Sequence, residues 1–158
     1  MTTATALREV SEMAPNAKPD FVLQTSIRCA PEALWDAITN PETIAKHHFM
    51  GSSVDLQGEV QNWTNPEGTV FLKMRILESR PFERFVTTFE PQMSGDGAPS
   101  RVVTTIRVEE DVCILTLEHH GLTFEVVPGE SVHDGWSRWA ASLKTYLETG
   151  IRLPISNR

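Results

Sequence analysis

The sequence predicts an α+β domain: a curved antiparallel sheet of about seven strands, covered on one face by one long C-terminal helix. Three observations carry this. Only one long stretch, Ser131 to Gly150, has apolar residues at helical spacing, with Trp136, Trp139, Ala140, Leu143 and Leu147 forming one wide stripe. From Gly51 to His119 the hydrophobic period is two instead. The strands also follow one another through short turns, which excludes a parallel α/β winding. A helix of ~18 residues is ~27 Å long, enough to cross several strands. An antiparallel sheet needs one face covered, and no other predicted element is long enough.

Taken in order, residues 1–19 read as a flexible arm. Leu7, Val10 and Met13 have helical spacing, but Pro15 and Pro19 cut the pattern off. Phe21 to Arg28 alternates as a first strand. Ala30-Pro31-Glu32 then starts a helix, with proline at the first position and an acid in the first turn; Leu34, Trp35 and Ile38 form its apolar face. Asn40-Pro41-Glu42 repeats the signal with a good capping residue, so a second short helix runs to about His47. Ser52 to Asp55 and Glu59 to Trp63 are short strands around a turn at Gln57-Gly58. Asn65-Pro66-Glu67-Gly68 has the residues a type I turn favours. Thr69 to Glu78 and Arg84 to Glu90 follow as strands, then a Gly-, Ser- and Asp-rich loop tip from Pro91 to Pro99. Arg101 to Glu109 and Val112 to His119 pair as a hairpin across Glu110-Asp111. In the final helix Ser131 is placed to cap the start, Asp134 suits the first turn and Gly150 ends it. Arg138, Ser142, Lys144 and Glu148 fall outside its stripe. The domain is thus residues 20–150, with a tail over 151–158.

At 158 residues the chain can bury one sizeable core. Fourteen Lys and Arg against 21 Asp and Glu give a net charge of −7, which argues against nucleic acid as a partner. No apolar run approaches a membrane span and no leader pattern is visible. Cys29 and Cys113 are far apart in sequence, form no CxxC, and read as free thiols in a reducing cytoplasm.

Three segments carry a resemblance: APEALWDAITNPETIAKH after the first strand, ILESRPFERFVTTFE in mid-sheet, and LTLEHHG followed by GWSRWAASLKTYLETG. Together they span Phe21 to Gly150. On them the chain resembles the START-like superfamily, also called SRPBCC or birch-pollen-allergen-like. Within it the chain is similar to the branch named after the activator of the heat-shock-protein-ninety ATPase. The resemblance implies a helix-grip fold with an internal pocket, used in various members for lipids, sterols, polyketides or aromatic compounds. Members also include cyclases and chaperone regulators. One departure is visible: where relatives often carry a tryptophan closing the second helix, this chain has His47-His48-Phe49.

The candidate chemistry is sparse. Neither His47-His48 nor His119-His120 has a Cys or carboxylate at ligand spacing, so no metal is expected. Neighbours on a strand point to opposite faces, and His119 is in phase with Leu115 and Leu117, so it should point inward. It is either a core histidine bonded internally or the polar contact of a ligand. No GxSxG or GxGxxG occurs, no glutamate has an evident partner, and no cofactor is implied. Cys113, in phase with Leu115, reads as packing rather than as a nucleophile. Given a helix-grip pocket, Trp63, Met74, Phe85, Cys113, Trp136 and Trp139 are its expected lining, with His119 as the polar group. The expected function is binding of a small, mainly apolar or aromatic molecule, with no catalytic set. A chaperone regulator with a stress-response role, a cyclase- or hydrolase-type enzyme, and a homodimer remain open alternatives.

Overall fold

The computed structural model describes residues 18–92 and 99–153. The arm expected over residues 1–19, the tip of the 91–99 loop and the tail over 151–158 fall largely outside them. The described chain runs β1 (Phe21–Ile27), α1 (Pro31–Thr39), α2 (Pro41–His47), β2 (Ser53–Gln57), β3 (Val60–Thr64), β4 (Val70–Arg80), β5 (Arg84–Pro91), β6 (Ser100–Glu109), β7 (Val112–His120) and α3 (Ser131–Thr149). The strands form one sheet in the order β1-β7-β6-β5-β4-β3-β2, and every neighbouring pair is antiparallel. This is the α+β arrangement the periodicity predicts.

Local chemistry sets the joints. Asn40 caps α2, its side chain accepting from the Glu42 amide at 3.1 Å, and Pro31 and Pro41 each open a helix. Gln57 pairs with Val60, so the turn between them is Gly58-Glu59, one residue later than the alternation suggests; Gly58 takes a φ of 62° there. Register shifts at Trp63/Thr64 in β3 and Ile76/Glu78 in β4 bend those strands.

Helix α3 lies across the inner face. Trp139, Ala140 and Leu143 are buried against Leu34, Ala37 and Ile38 of α1 and Leu115 and Leu117 of β7. Two details depart from the sequence reading. The residue capping α3 is Glu130, without a side-chain bond, while Ser131 is the first helical residue with a φ of 49°; the Nδ1 of His133 accepts the Gly129 amide at 2.9 Å instead. Ser142, expected outside the stripe, is fully buried, because α3 also contacts α1 and α2 and buries more than one stripe. The outer face of the central strands is not simply wet either. Val86, Thr88, Arg101, Val103 and His120 are buried there. Glu90 accepts from the Thr88 hydroxyl at 2.6 Å and from Arg75 Nε at 3.1 Å, and His120 Nε2 meets Glu118 at 2.8 Å.

Candidate functional site: an internal cavity

The space between the bent sheet and α3 is a cavity of about 500 Å³. That is within the range of small-molecule sites. Strands β3 to β7 supply its floor, α3 its roof, the end of α2 one wall, and the connection from β7 to α3 another. Trp63, Met74, Phe85, Trp136 and Trp139 line it, and Phe89 joins them. Cys113 and His119 do not line it.

Cys113 sits at the far end of the sheet, paired with Ile27, in the core beneath α1. Its Sγ donates to the Cys29 carbonyl at 3.3 Å. Burial pushes the Cys29 thiol up to about 12 and raises Cys113 as well, so both stay protonated and unreactive at neutral pH.

His119 points inward and is fully buried, but both its ring nitrogens are taken. Trp136 Nε1 donates to Nδ1 at 3.1 Å, and Nε2 lies 2.7 Å from Ser100 Oγ. An indole N–H can only donate, so Nδ1 must be the acceptor and Nε2 carries the proton. Ser100 can then pass its own hydrogen to the Phe89 carbonyl at 3.4 Å. Burial, the leading cause, lowers the pKa of His119 to about 4, so the ring is neutral. It works as a bracket behind the wall, fixing the Trp136 indole that faces the cavity.

The His47-His48-Phe49 segment shapes the rim. His47 Nε2 donates to the Ala37 carbonyl at 2.8 Å and ties α2 to α1. His48 lies 5.0 Å from the Trp63 ring and 4.7 Å from Phe49, and both His48 and Phe49 line the cavity. Burial first, then the neighbouring His47, lowers the pKa of His48 to about 3. Arg152 closes the segment by donating to the His48 carbonyl at 2.5 Å.

Two polar residues that sequence reasoning passed over belong to the floor. Gln61 and Thr87 are each 1% exposed. Gln61 Oε1 accepts from Trp63 Nε1 at 3.3 Å, while its Nε2, like Thr87 Oγ1, has no partner among the described residues. Among the described residues no Asp, Glu, Lys or Arg lines the cavity. Among the described residues no three His, Cys, Asp or Glu side chains gather as metal ligands, and no helix is long and apolar enough to cross a membrane.

The sequence family described as activator of Hsp90 ATPase homolog 1-like protein matches residues 28–148. The chain belongs to this family. Among curated proteins none matches the sequence. Solved structures share the fold at low identity. The Aha1 dimer from Colwellia psychrerythraea superposes with a TM-score of 0.67 at 15% identity, over 82% of this chain and 96% of that one. A protein from Mesorhizobium loti gives 0.65 at 22%, over 80% and 95%. An Hsp90 activator from Plasmodium falciparum gives 0.64 at 18%, over 80% and 94%. At such identities the likeness establishes the helix-grip fold alone.

Proposed function

We propose that this protein binds a small, mainly apolar molecule in the cavity and does no covalent chemistry on it. The observation that carries the reading is the cavity itself: about 500 Å³ between sheet and helix, walled by aromatic and aliphatic side chains. A site of this size and lining removes apolar ligand surface from water at ~25 cal/mol per Å². Cyclase- or hydrolase-type catalysis draws no support from the described lining residues, among which there is no carboxylate, lysine or cysteine. A cytoplasmic setting accords with the two free thiols.

Nile red, an uncharged apolar fluorophore, tests the reading. It should bind with a blue-shifted emission, and Met74→Trp, which fills the floor, should abolish binding in a protein that still unfolds cooperatively. Equal binding by wild type and Met74→Trp would remove the cavity from the explanation.

Regulation of the heat-shock-ninety ATPase, with a stress-response role, is the second reading; the family description and the Plasmodium falciparum structure favour it. Titrating the purified protein into the host chaperone's ATPase assay decides it, since a regulator must change turnover. The Colwellia psychrerythraea dimer supports a homodimer here, which sedimentation would reveal as twice the chain mass.

A further inference from the structure

The outer face of the sheet is covered, and none of the described elements covers it. We infer that this face is a docking surface for the chain's own first residues, with residues 3–14 laid across it as an amphipathic helix. Leu7, Val10 and Met13 then rest on Val86 and Val103. The inference is independent of the cavity and goes beyond the pocket reading.

The cover shows in one row across the sheet. Val22, Glu118, Val103, Val86 and Glu78 stand opposite one another on β1, β7, β6, β5 and β4. At the edge Val22 is 54% exposed, whereas Val103 and Val86 are each 4% exposed. The neighbouring row of His120, Arg101 and Thr88 is buried as well. Side chains stand off a sheet, so a valine on an open face keeps its tip in water.

The described elements lie on the other side. Neighbours on a strand alternate faces, and α1 and α3 pack on Phe85, Val102, Leu115 and Leu117, as α2 does on Trp63, Leu72 and Met74. Residues 121–124 line the cavity, and Arg152, at the start of the tail, bonds to His48 on the cavity rim. Residues 1–17 and 93–98 remain as sources of a cover. The second stretch holds one large apolar residue, Met93.

The first stretch suits the face in pattern, charge and reach. At about 3.6 residues per turn, Ala6, Leu7, Val10, Met13 and Ala14 fall within one stripe of about 120°. Arg8 and Glu12 point away from it, Glu9 borders it and Pro15 ends the pattern. Arg101 Nε is buried with no partner among the described residues, and a carboxylate at Glu9 supplies the charge it calls for. The Asp20 amide donates to the His119 carbonyl at 2.9 Å, so the first residues join the sheet beside the row of His120, Arg101 and Thr88. Residues 15–19 give ~16 Å of lead, and a helix over residues 3–14 is ~18 Å long, enough for the three ~4.8 Å spacings from β7 to β4. So short a helix is marginal alone in water and needs an apolar face to form.

The experiment uses the full chain. Arg8→Cys carries a nitroxide on the side away from the stripe; burial holds Cys29 and Cys113 protonated, so the new thiol takes the label. NMR should show the amide signals of Val86, Thr88, Val103 and Glu118 broadened, and those of Ala140 and Leu143 far less. Adding Val10→Asp should abolish the broadening. In chains that keep Arg8, Val10→Asp should raise trypsin cleavage after that residue about tenfold, and Glu12→Gln should stay within about twofold of wild type. No core residue is altered, so each variant should still unfold cooperatively. Broadening confined to residues 18–22, broadening of the inner face, or Val10→Asp cleaved no faster than wild type would each overturn the inference. Broadening of an isotope-labelled chain by a nitroxide on a separate, unlabelled chain would also overturn it, since a second copy would then be the cover.

Discussion

Trp136 Nε1 donates to His119 Nδ1 across the gap between helix and sheet, at 3.1 Å. This bond does two things. It fixes the imidazole tautomer that holds Ser100, and it orients the indole on the cavity roof. Removing either partner leaves a polar atom without its bond at a buried site. Trp136→Phe and His119→Leu should each cost about 1–3 kcal/mol in urea unfolding, and the double variant clearly less than the sum of the two. Additive losses would mean the bond does not couple the two elements.

The same histidine makes stability depend on pH. His119 has a pKa of about 4 in the fold against an ordinary value of 6.5, and His48 of about 3. The unfolded chain therefore binds more protons between those values. Stability is fully present above pH 6.5 and is lost as pH falls toward 4, levelling off for His119 below that. The shift of His119 corresponds to about 3 kcal/mol. Urea midpoints from neutral pH down to pH 4.5 should fall, and His119→Leu should show a shallower fall. An unchanged slope in the variant would assign the acid sensitivity to other groups.

How far the sequence could foresee this site can be judged from single residues. Trp63, Met74, Phe85, Trp136 and Trp139 were legible because they combine large apolar side chains with a clear period. His119 was legible as inward-facing, but its partners were not. Ser100 lies beside it only through the register of β6 and β7, and Trp136 only through the placing of α3. Cys113 shares His119's face, yet lies at the other end of β7, beneath α1, where the sheet and helices close together. Alternation gives the face and not the depth along the strand. Gln61 carried a usable signal, since it is two residues from Trp63 on a predicted strand and so shares its face. A glutamine at an inward position is a polar group in search of a partner. Thr87 gave no such signal, because threonine suits any strand position.

Gly150 ends α3 with a φ of 76°, and its amide bonds to the Tyr146 carbonyl at 2.7 Å. The left-handed region is costly for a residue with a Cβ. Gly150→Ala should lower stability by about 1 kcal/mol, read as a lower thermal midpoint, although a Cβ there meets nothing within 4 Å. A neutral outcome would mean that the end of the helix frays without consequence for the core.

Leu143 is the fully buried centre of the contact between α3 and the sheet, packed with Leu34, Leu115 and Leu117. Leu143→Ala should cost about 2–5 kcal/mol, a large share of a single domain's stability. Circular dichroism melting gives the answer directly. A loss below about 1 kcal/mol would show that the helix is not what the sheet is packed around.

Arg152 lies just beyond α3 and donates to the carbonyl of His48, the residue that ends α2. A cation there complements the negative end of that helix and satisfies a carbonyl that the helix leaves over. It also adds positive potential beside His47 and His48, one of the contributions that lowers both their pKa values. The bond therefore ties the end of the chain's last helix to the rim residues His48 and Phe49, both of which line the cavity. Arg152→Ala should cost only about 1–2 kcal/mol, since the arginine is exposed and solvent replaces part of the bond. Its effect on the rim should be larger than its effect on the fold. Amide exchange should quicken at Phe49 and Met50, Nile red should leave the cavity faster, and NMR titration should find the His48 pKa less depressed. If exchange at the rim and the release rate both match wild type, the rim is held by the packing of Phe49 on His48 and of His48 on Trp63 alone.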